Sequence, residues 1–592
     1  MTMTVKLFSI ALLAFVHNTV IADELIPMQE NKYNWVMPAG NYNNQRYSEL
    51  SQINKDNVID MTSTWSFSTG ILRGHEGNTL VIDGTLYLHT PFPNEVFALD
   101  LNVDGAIKWS YKPKQNHDET VPVMCCDIVN RGLAYADGKL FLNQADTTLV
   151  ALEINTGKEI WKHQRDDPKR GATSTGAPHV FKDKVLVGIS GGEFGVRGYI
   201  KAYSLDGQEQ WQFYNTGPDD EMGFDPKTTT SMMDPVGKDS SLKTWSGDQW
   251  QLGGGTTWGW FSYDPDTNLF YYGSGNPSTW NPMLRPGDNK WSSSLFARDL
   301  DSGKAKWVYQ MTPHDEWGFD GVNEIPLVDQ KINDKLRKTA VHFDANGFAY
   351  TFDRINGELL LADKFDPNIN WSRGVNLKTG RHDRVVKYST EKEDQTTGIC
   401  PANIGAKNQG PSAYSPRTGF FYVPINRVCM DYETSMVRYK EGQPYVGATV
   451  DLYPAPGGTH LGNLIAWDPR IGKIVWSHPE RYAVWSGALA TASDLVFYGT
   501  LEGYIKAIDA QSGRELWRFK TPSGIVGNVN TYKHLGKQYI SVLSGIGGWA
   551  GVAMTIPSLE EEPDGWGHKG AYLSLSNWTR LGGVLSVFGL PN

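Results

Sequence analysis

A tryptophan recurs in this chain at the end of a short motif, and that recurrence constrains the fold more than any other feature. Six segments begin with alanine, pass through a polar turn containing glycine, and reach an indole nine to eleven residues on. They are ALDLNVDGAIKW (98–109), ALEINTGKEIW (151–161), AYSLDGQEQW (202–211), ARDLDSGKAKW (297–307), AWDPRIGKIVW (466–476) and AIDAQSGRELW (507–517). A seventh, YTFDRINGELLLA (350–362), keeps the turn and lacks the tryptophan. Each reads as strand, hairpin turn, strand, and a further strand-like stretch such as GKLFLNQ, DKVLVGIS or DLVFYGT stands before it. Sheets repeated radially in this way form an all-β propeller, with the recurring aromatic packing one blade on the next. The repeat indoles are therefore read as structural. Irregular spacing leaves long insertions near 216–252 and 366–462, which in a propeller gather on one face and cap the central funnel. The 592 residues read as a single large propeller domain behind a short leader.

The leader is MTMTVKLFSIALLAFVHNTVIADE. Lys6 precedes an apolar run from Leu7 to Val16, too short to span a bilayer, and Val20-Ile21-Ala22 offers a cleavage site. Residues 1–22 read as a secretory signal and 23–592 as the mature propeller. No later segment approaches the roughly 18 apolar residues of a membrane helix, so a soluble, exported protein is expected. The net charge of −10 weighs against a nucleic-acid phosphate backbone as the main partner. Four cysteines suit an oxidising compartment. Cys400 and Cys429 are separated enough to form an ordinary bridge. Cys125 and Cys126 are adjacent, with Cα atoms about 3.8 Å apart, so they are either two buried thiols or a strained eight-membered ring; export favours the ring. The chain has no C-x-x-C-H haem signature, and its Cys and His lack zinc spacing.

Several stretches, in order along the chain, carry a specific likeness: GNYNNQRYSELSQIN, RGHEGNTLVIDG, TPFPNEVFALDL, CCDIVNRG, GGEFGVRGYI, GGGTTWGW, GSGNPSTWN, RPGDNKW, PHDEWGFDGVNE, AVWSGALATASDLVFYGTLEGYIKA and GIGGWAG. Together they resemble the pyrroloquinoline quinone (PQQ) dehydrogenases over nearly everything from about residue 32 to 588. The nearest group is the methanol dehydrogenases, and among these the lanthanide-dependent XoxF type. The resemblance implies eight blades, a periplasmic location, PQQ and one metal ion. By position it puts a Cys125–Cys126 disulfide over one face of PQQ and Trp258 against the other. Arg131, Thr175, Ser190, Gly191, Gly192 and Thr256 fall where family members bond the cofactor's carboxylates and ring oxygens, a task that suits an arginine fork. Glu76, Asn408, Trp485 and Trp549 complete the implied pocket. Glu193 and Asn276 occupy the shared metal-ligand positions, and both are hard oxygen donors. Asp320 supplies a third ligand where calcium-using members carry a small apolar residue, so a lanthanide(III) ion is expected ahead of Ca2+. The implied partners are methanol or another small primary alcohol and a soluble cytochrome c; family members are often homodimers.

Within this likeness the stretch PHDEWGFDGVNE (313–324) raises a difficulty. It holds four carboxylates and a histidine, yet the family's general base falls at Gly318. Likewise, the D-R-N-G stretch that gives the quinone an arginine reads DANG, with Ala345. A positioned base is worth about 10²–10⁴ in rate and one electrostatic donor about 10²–10³, so both losses fall at the reacting end. Three readings follow. The expected one is a working alcohol dehydrogenase in which Asp320, a water or a residue of an inserted loop takes the proton. The second is a carrier or sensor that binds PQQ and metal with weak turnover. The third is a propeller used only as a scaffold.

Overall fold

The structure, a computed structural model, describes residues 23–555, 572 and 574–591; the expected signal segment 1–22 lies outside the described residues. Alternating apolar runs and Asx-Gly turns fold into antiparallel meanders. In the first, Leu80–Ile82, Thr85–His89, Val96–Asp100 and Ala106–Tyr111 pair in chain order. Its second strand is buried at every position and its fourth is mostly exposed. TLYLH is covered on both faces, so Thr85 and His89 are buried along with Leu86 and Leu88. The chain reverses before the last strand at Asp104 (φ 51°) and Gly105 (φ 80°), the left-handed pair that a tight hairpin favours.

Among the described residues, eight sheets contain four strands in this sequential antiparallel order, and two of them carry an added parallel edge strand. The last sheet joins the two ends of the chain. Asn530–His534, Lys537–Ser544 and Val584–Gly589 are completed by Thr62–Ser68, with Thr62 opposite Gly589 and Ser68 opposite Val584.

The repeat indoles reach from each sheet to the next. Trp109 Nε1 donates to Ile154 O (3.0 Å), Trp161 to Leu205 O (3.0 Å), Trp211 to Leu300 O (3.2 Å) and Trp307 to Arg354 O (3.1 Å). Trp476 donates to Ala510 O (3.1 Å) and Trp517 to Met61 O (3.0 Å). The motif glycine is needed for space as well as for φ: a Cβ on Gly157, Gly207, Gly357 or Gly513 would stand 2.4–2.8 Å from the preceding sheet's indole. The same holds for Gly105 against Trp65 at 2.5 Å. Trp65 stands outside the sequence repeat because its strand lies at the opposite end of the chain from the rest of its sheet.

The expected 366–462 insertion is not one piece: Ala413–Ser415 and Phe420–Asn426 within it belong to a four-stranded sheet with Gly462–Asp468 and Lys473–Glu480, and the rest folds as a ribbon, Ser372–Asn376 with Arg381–Arg384, and a three-stranded sheet of Thr396–Ile399, Val428–Thr434 and Ala448–Pro454. The Cys400–Cys429 disulfide ties it together, and Cys125–Cys126 is closed as a vicinal disulfide. Among the described residues no helix is long and apolar enough to cross a membrane. Trp307 is 1% exposed, so Trp307→Ala removes a fully buried indole and should cost about 3–5 kcal/mol. Denaturant titration followed by circular dichroism measures this, and a loss below about 1 kcal/mol would contradict the packing role.

Candidate active site

Loops from many of the sheets converge on one cavity. Its walls come from well-separated parts of the chain. Glu76 precedes the strand Leu80–Ile82, Cys125 and Cys126 follow the turn Val121–Val123, and Arg131 precedes Leu133–Ala136. Ser190, Gly191 and Glu193 follow Lys184–Gly188, Trp258 precedes Ser262–Asp264, and Asn276 follows Leu269–Gly273. Thr175, Asp320, Asn408, Trp485 and Trp549 complete the expected set. Gly192 and Thr256 do not line the cavity but pack against each other behind it: a Cβ on Gly192 would lie 3.6 Å from Thr256 Oγ1.

One wall is a polar rail. Trp485 Nε1 donates to Glu76 Oε1 (3.2 Å), Glu76 Oε2 pairs with Arg131 Nη2 (2.8 Å), and Arg131 Nη1 donates to Thr175 Oγ1 (2.8 Å). Thr175 and Ser190 hydroxyls meet at 2.9 Å. The Arg131 guanidinium lies 4.5 Å from the centre of the Trp258 ring, a cation–π distance. Burial raises the Glu76 carboxyl while the Arg131 charge opposes it. Asp127, beside the disulfide, accepts from Gly548 N (2.9 Å) and pairs with Arg73 (3.0 Å). The vicinal disulfide loop is thereby tied to the helix Gly548–Thr555 that carries Trp549.

The opposite end is acidic. Asp320 Oδ1 accepts from Asn276 N (3.0 Å). Without a cation the Asn276 amide is satisfied with its N toward Asp320 Oδ1 (3.0 Å) and its O accepting from Trp280 Nε1 (3.2 Å), whereas the reverse orientation sets its oxygen against Asp320 Oδ1, as shared ligation of a cation would need. Burial, followed by the charge of Glu193, pushes the Asp320 carboxyl up to about 8. Burial also raises Glu193. Sulfurs of Cys125 and Cys126 and an oxygen of Glu193 lie within 4.8 Å of one another. Bonded to each other, the sulfurs have no thiolate to give, so this proximity sets the disulfide beside Glu193 and is no metal site in itself.

The other carboxylates of 313–324 are occupied elsewhere. Asp315 accepts from the backbone N–H groups of Trp317 (3.1 Å), Gly318 (2.9 Å) and Phe319 (3.0 Å). Glu316 accepts from Arg384 (2.7 Å), Ser389 (2.5 Å) and Thr390 N (2.8 Å). Glu324 holds Lys407 (2.6 Å) and Ser412 (2.6 Å). His314 bridges Gly287 O (2.7 Å) and Glu391 (2.8 Å). Asp320 alone among the four carboxylates opens on the cavity.

The family pattern for PQQ, glucose/ethanol/alcohol dehydrogenase, β-propeller domain, matches residues 35–362 and 461–540. The chain belongs to the PQQ-dependent alcohol dehydrogenases. It is 58% identical over 567 residues, 94% of each chain, to the lanthanide-dependent methanol dehydrogenase of Methylorubrum extorquens. It is 47% identical to methanol dehydrogenase (cytochrome c) subunit 1 of Methylobacterium organophilum, over 96% of this chain and 92% of that one. A solved europium-containing methanol dehydrogenase superposes with a TM-score of 0.93 at 49% identity, covering 96% of this chain and all of that one.

The cavity fits the groups this family uses. The disulfide and Trp258 both line it, and Arg131 Nε is buried without a hydrogen-bond partner among the described residues. Two carboxylates with raised pKa share an edge without a protein cation between them, and oxygen-only donors of this kind suit a hard cation. Sequence reasoning missed Trp280, which stood in the quoted GSGNPSTWN, and Asn403 and Ile404, for which the insertion gave no signal. Ala345 does not reach the cavity. It is buried under the 402–406 turn, where a Cβ on Gly405 would lie 2.8 Å from its own.

Removing one partner of a buried ion pair leaves the other uncompensated. Glu76→Ala should therefore destabilise the fold by about 3–5 kcal/mol, read as a drop in denaturant midpoint without added cofactor. An unchanged midpoint would mean that Arg131 finds another partner.

Proposed function

We propose that this chain oxidises methanol or another small primary alcohol to the aldehyde in the periplasm, with PQQ and one metal ion, and passes electrons to a soluble cytochrome c. In this reading residues 1–22 are the export signal, and the eight sheets are blades that dock through their indoles around the cavity. The observation that carries it is the acidic edge: Asp320 is the only carboxylate of 313–324 on the cavity, and it stands with Asn276 and within electrostatic reach of Glu193.

PQQ would lie between Cys125–Cys126 and Trp258, held at its rim by Arg131, Thr175, Ser190, Gly191, Glu76, Asn408, Trp485 and Trp549, with Gly192 and Thr256 behind. Glu193, Asn276 and Asp320 would hold the ion. When bound, the pair supplies a two-electron acceptor whose carbonyl is polarised by the metal as a Lewis acid. The ligand set favours a lanthanide(III) over Ca2+ on the strength of Asp320, and the lanthanide-dependent relative at 58% identity supports this choice. Asp315, Glu316 and Glu324 are engaged in backbone and side-chain bonds, which leaves Asp320 as the carboxylate that can receive the substrate proton. Gly318 and Ala345 favour a second reading, retention of PQQ and metal with little turnover.

Reconstitution with PQQ and either lanthanum or calcium, followed by dye-linked methanol oxidation, separates the two. Turnover supports the enzyme, whereas quinone absorbance without dye reduction supports the carrier. Lanthanum is expected to outperform calcium, and Asp320→Ala is expected to abolish the lanthanum-supported rate; equal rates with the two ions would remove the basis of the metal assignment. A side chain at 318 meets only Asn403 Cβ, 3.7 Å from the new Cβ, but the backbone there has φ +79°. Gly318→Asp should raise kcat at least about tenfold while costing about 1–2 kcal/mol of stability from the left-handed backbone. An unchanged kcat would show that the proton leaves by another route.

A further inference from the structure

The cavity holds one polar group that the cofactor and metal sets do not use. Asn403 lines it from the 366–462 insertion. The residue is 8% exposed, and its Oδ1 is buried without a hydrogen-bond partner. No hydrogen bond of its Nδ2 is found among the described residues either; its recorded bond is from the backbone N to Met430 Sδ (3.2 Å). A buried amide left unpaired is costly, so native structures rarely keep one without a use.

Asn403 faces Gly318. Its Cβ lies 3.7 Å from where a Gly318 side chain would begin, so the root of the Asn403 side chain borders the space that the glycine leaves in the cavity both residues line. Gly318 is two residues from Asp320, at the metal end where an alcohol would react, and both line the same cavity. Ile404 is the next cavity residue along the insertion, which gives the subsite an apolar side against a polar one.

We infer that Asn403 and the open position at Gly318 form a subsite for a second hydroxyl, so that the alcohols this chain accepts best are short diols rather than simple alkanols. This rests on the reading of the cavity as an alcohol site. An amide offers a donor and an acceptor, and a hydroxyl answers both. An alkyl group in the same place leaves the amide unpaired, and sites built to bond a hydroxyl discriminate against analogues that lack it. The reaction is unchanged: the terminal CH2OH loses two electrons and two protons to the oxidant already proposed, and the second hydroxyl is not consumed.

The test compares 1,2-ethanediol with 1-propanol, which differ by a hydroxyl in place of a methyl. Dye-linked kcat/KM is measured on reconstituted holoprotein, wild type and Asn403→Leu. The diol should be preferred by wild type, and the diol-to-propanol ratio should fall about tenfold in the variant, as expected for one buried hydrogen bond. Asn403→Ser, which keeps a hydroxyl and adds no bulk, should restore part of the ratio and guards against misfolding of the leucine variant. An unchanged ratio, or equal loss with both alcohols, overturns the subsite. Quenching of tryptophan fluorescence on titration with each alcohol gives a second readout that needs no turnover. If wild type oxidises no alcohol, the enzyme reading fails, and the titration alone decides the subsite: diol binding that weakens about tenfold in Asn403→Leu upholds it, and binding indifferent to the substitution overturns it.

Discussion

The indole-to-carbonyl hydrogen bonds between sheets, together with the pairing of Thr62–Ser68 with Val584–Gly589 that joins the two ends of the chain, are the constraint on which everything else rests. Trp109, Trp161, Trp211, Trp307 and Trp476 each cover a glycine turn in the following sheet and donate the N–H to a carbonyl there. The sheets are thus indexed to one another, and the loops at their inner ends arrive at fixed positions. The cavity needs this because its residues run from Glu76 to Trp549, and no single sheet supplies more than a fraction of a wall. Reacting groups displaced by as little as about 1 Å lose much of their effect, so a site assembled from many sheets is only as accurate as their docking.

Electrostatics divides the interior into framework and site. Glu76 with Arg131, Glu324 with Lys407, and Asp264 with Arg354 are buried carboxylates matched to protein cations at 2.6–2.8 Å. Removing one partner from such a pair is strongly destabilising, and these pairs hold loops in place. Among the described residues Glu193 and Asp320 have no such ion pair, and Asp320 is raised by burial and by its neighbour's charge. Oxygen donors in that condition suit a hard cation, and they line the same cavity as the disulfide and Trp258.

Much of this was legible in the sequence because it is written in local patterns. The turn-plus-tryptophan motif has two physical causes at once, a left-handed hairpin and contact with an indole, and both select glycine. Trp65 stands outside that motif because sheet closure separates its strand from its partners along the chain. The polar rail was readable only through family likeness, since nothing local distinguishes Thr175 from any other loop threonine. Gly192 and Thr256 matched the family by position and are neighbours of the cavity's lining residues rather than lining it themselves. Asn403 gave no signal: an asparagine in a long insertion looks like a turn residue until its amide is found buried and unbonded.

The acidic stretch 313–324 looked like one cluster with one purpose, and it is four carboxylates with separate tasks. Asp315 caps a tight turn by taking three successive backbone N–H groups, and that turn puts Gly318 at φ +79°. Any side chain at 318 would be strained in that backbone, although there is room for it. Glycine at 318 therefore has a local cause in the turn, independent of any loss of catalytic function. Its consequence is an open space at the reacting end, bordered by a residue from a different part of the chain.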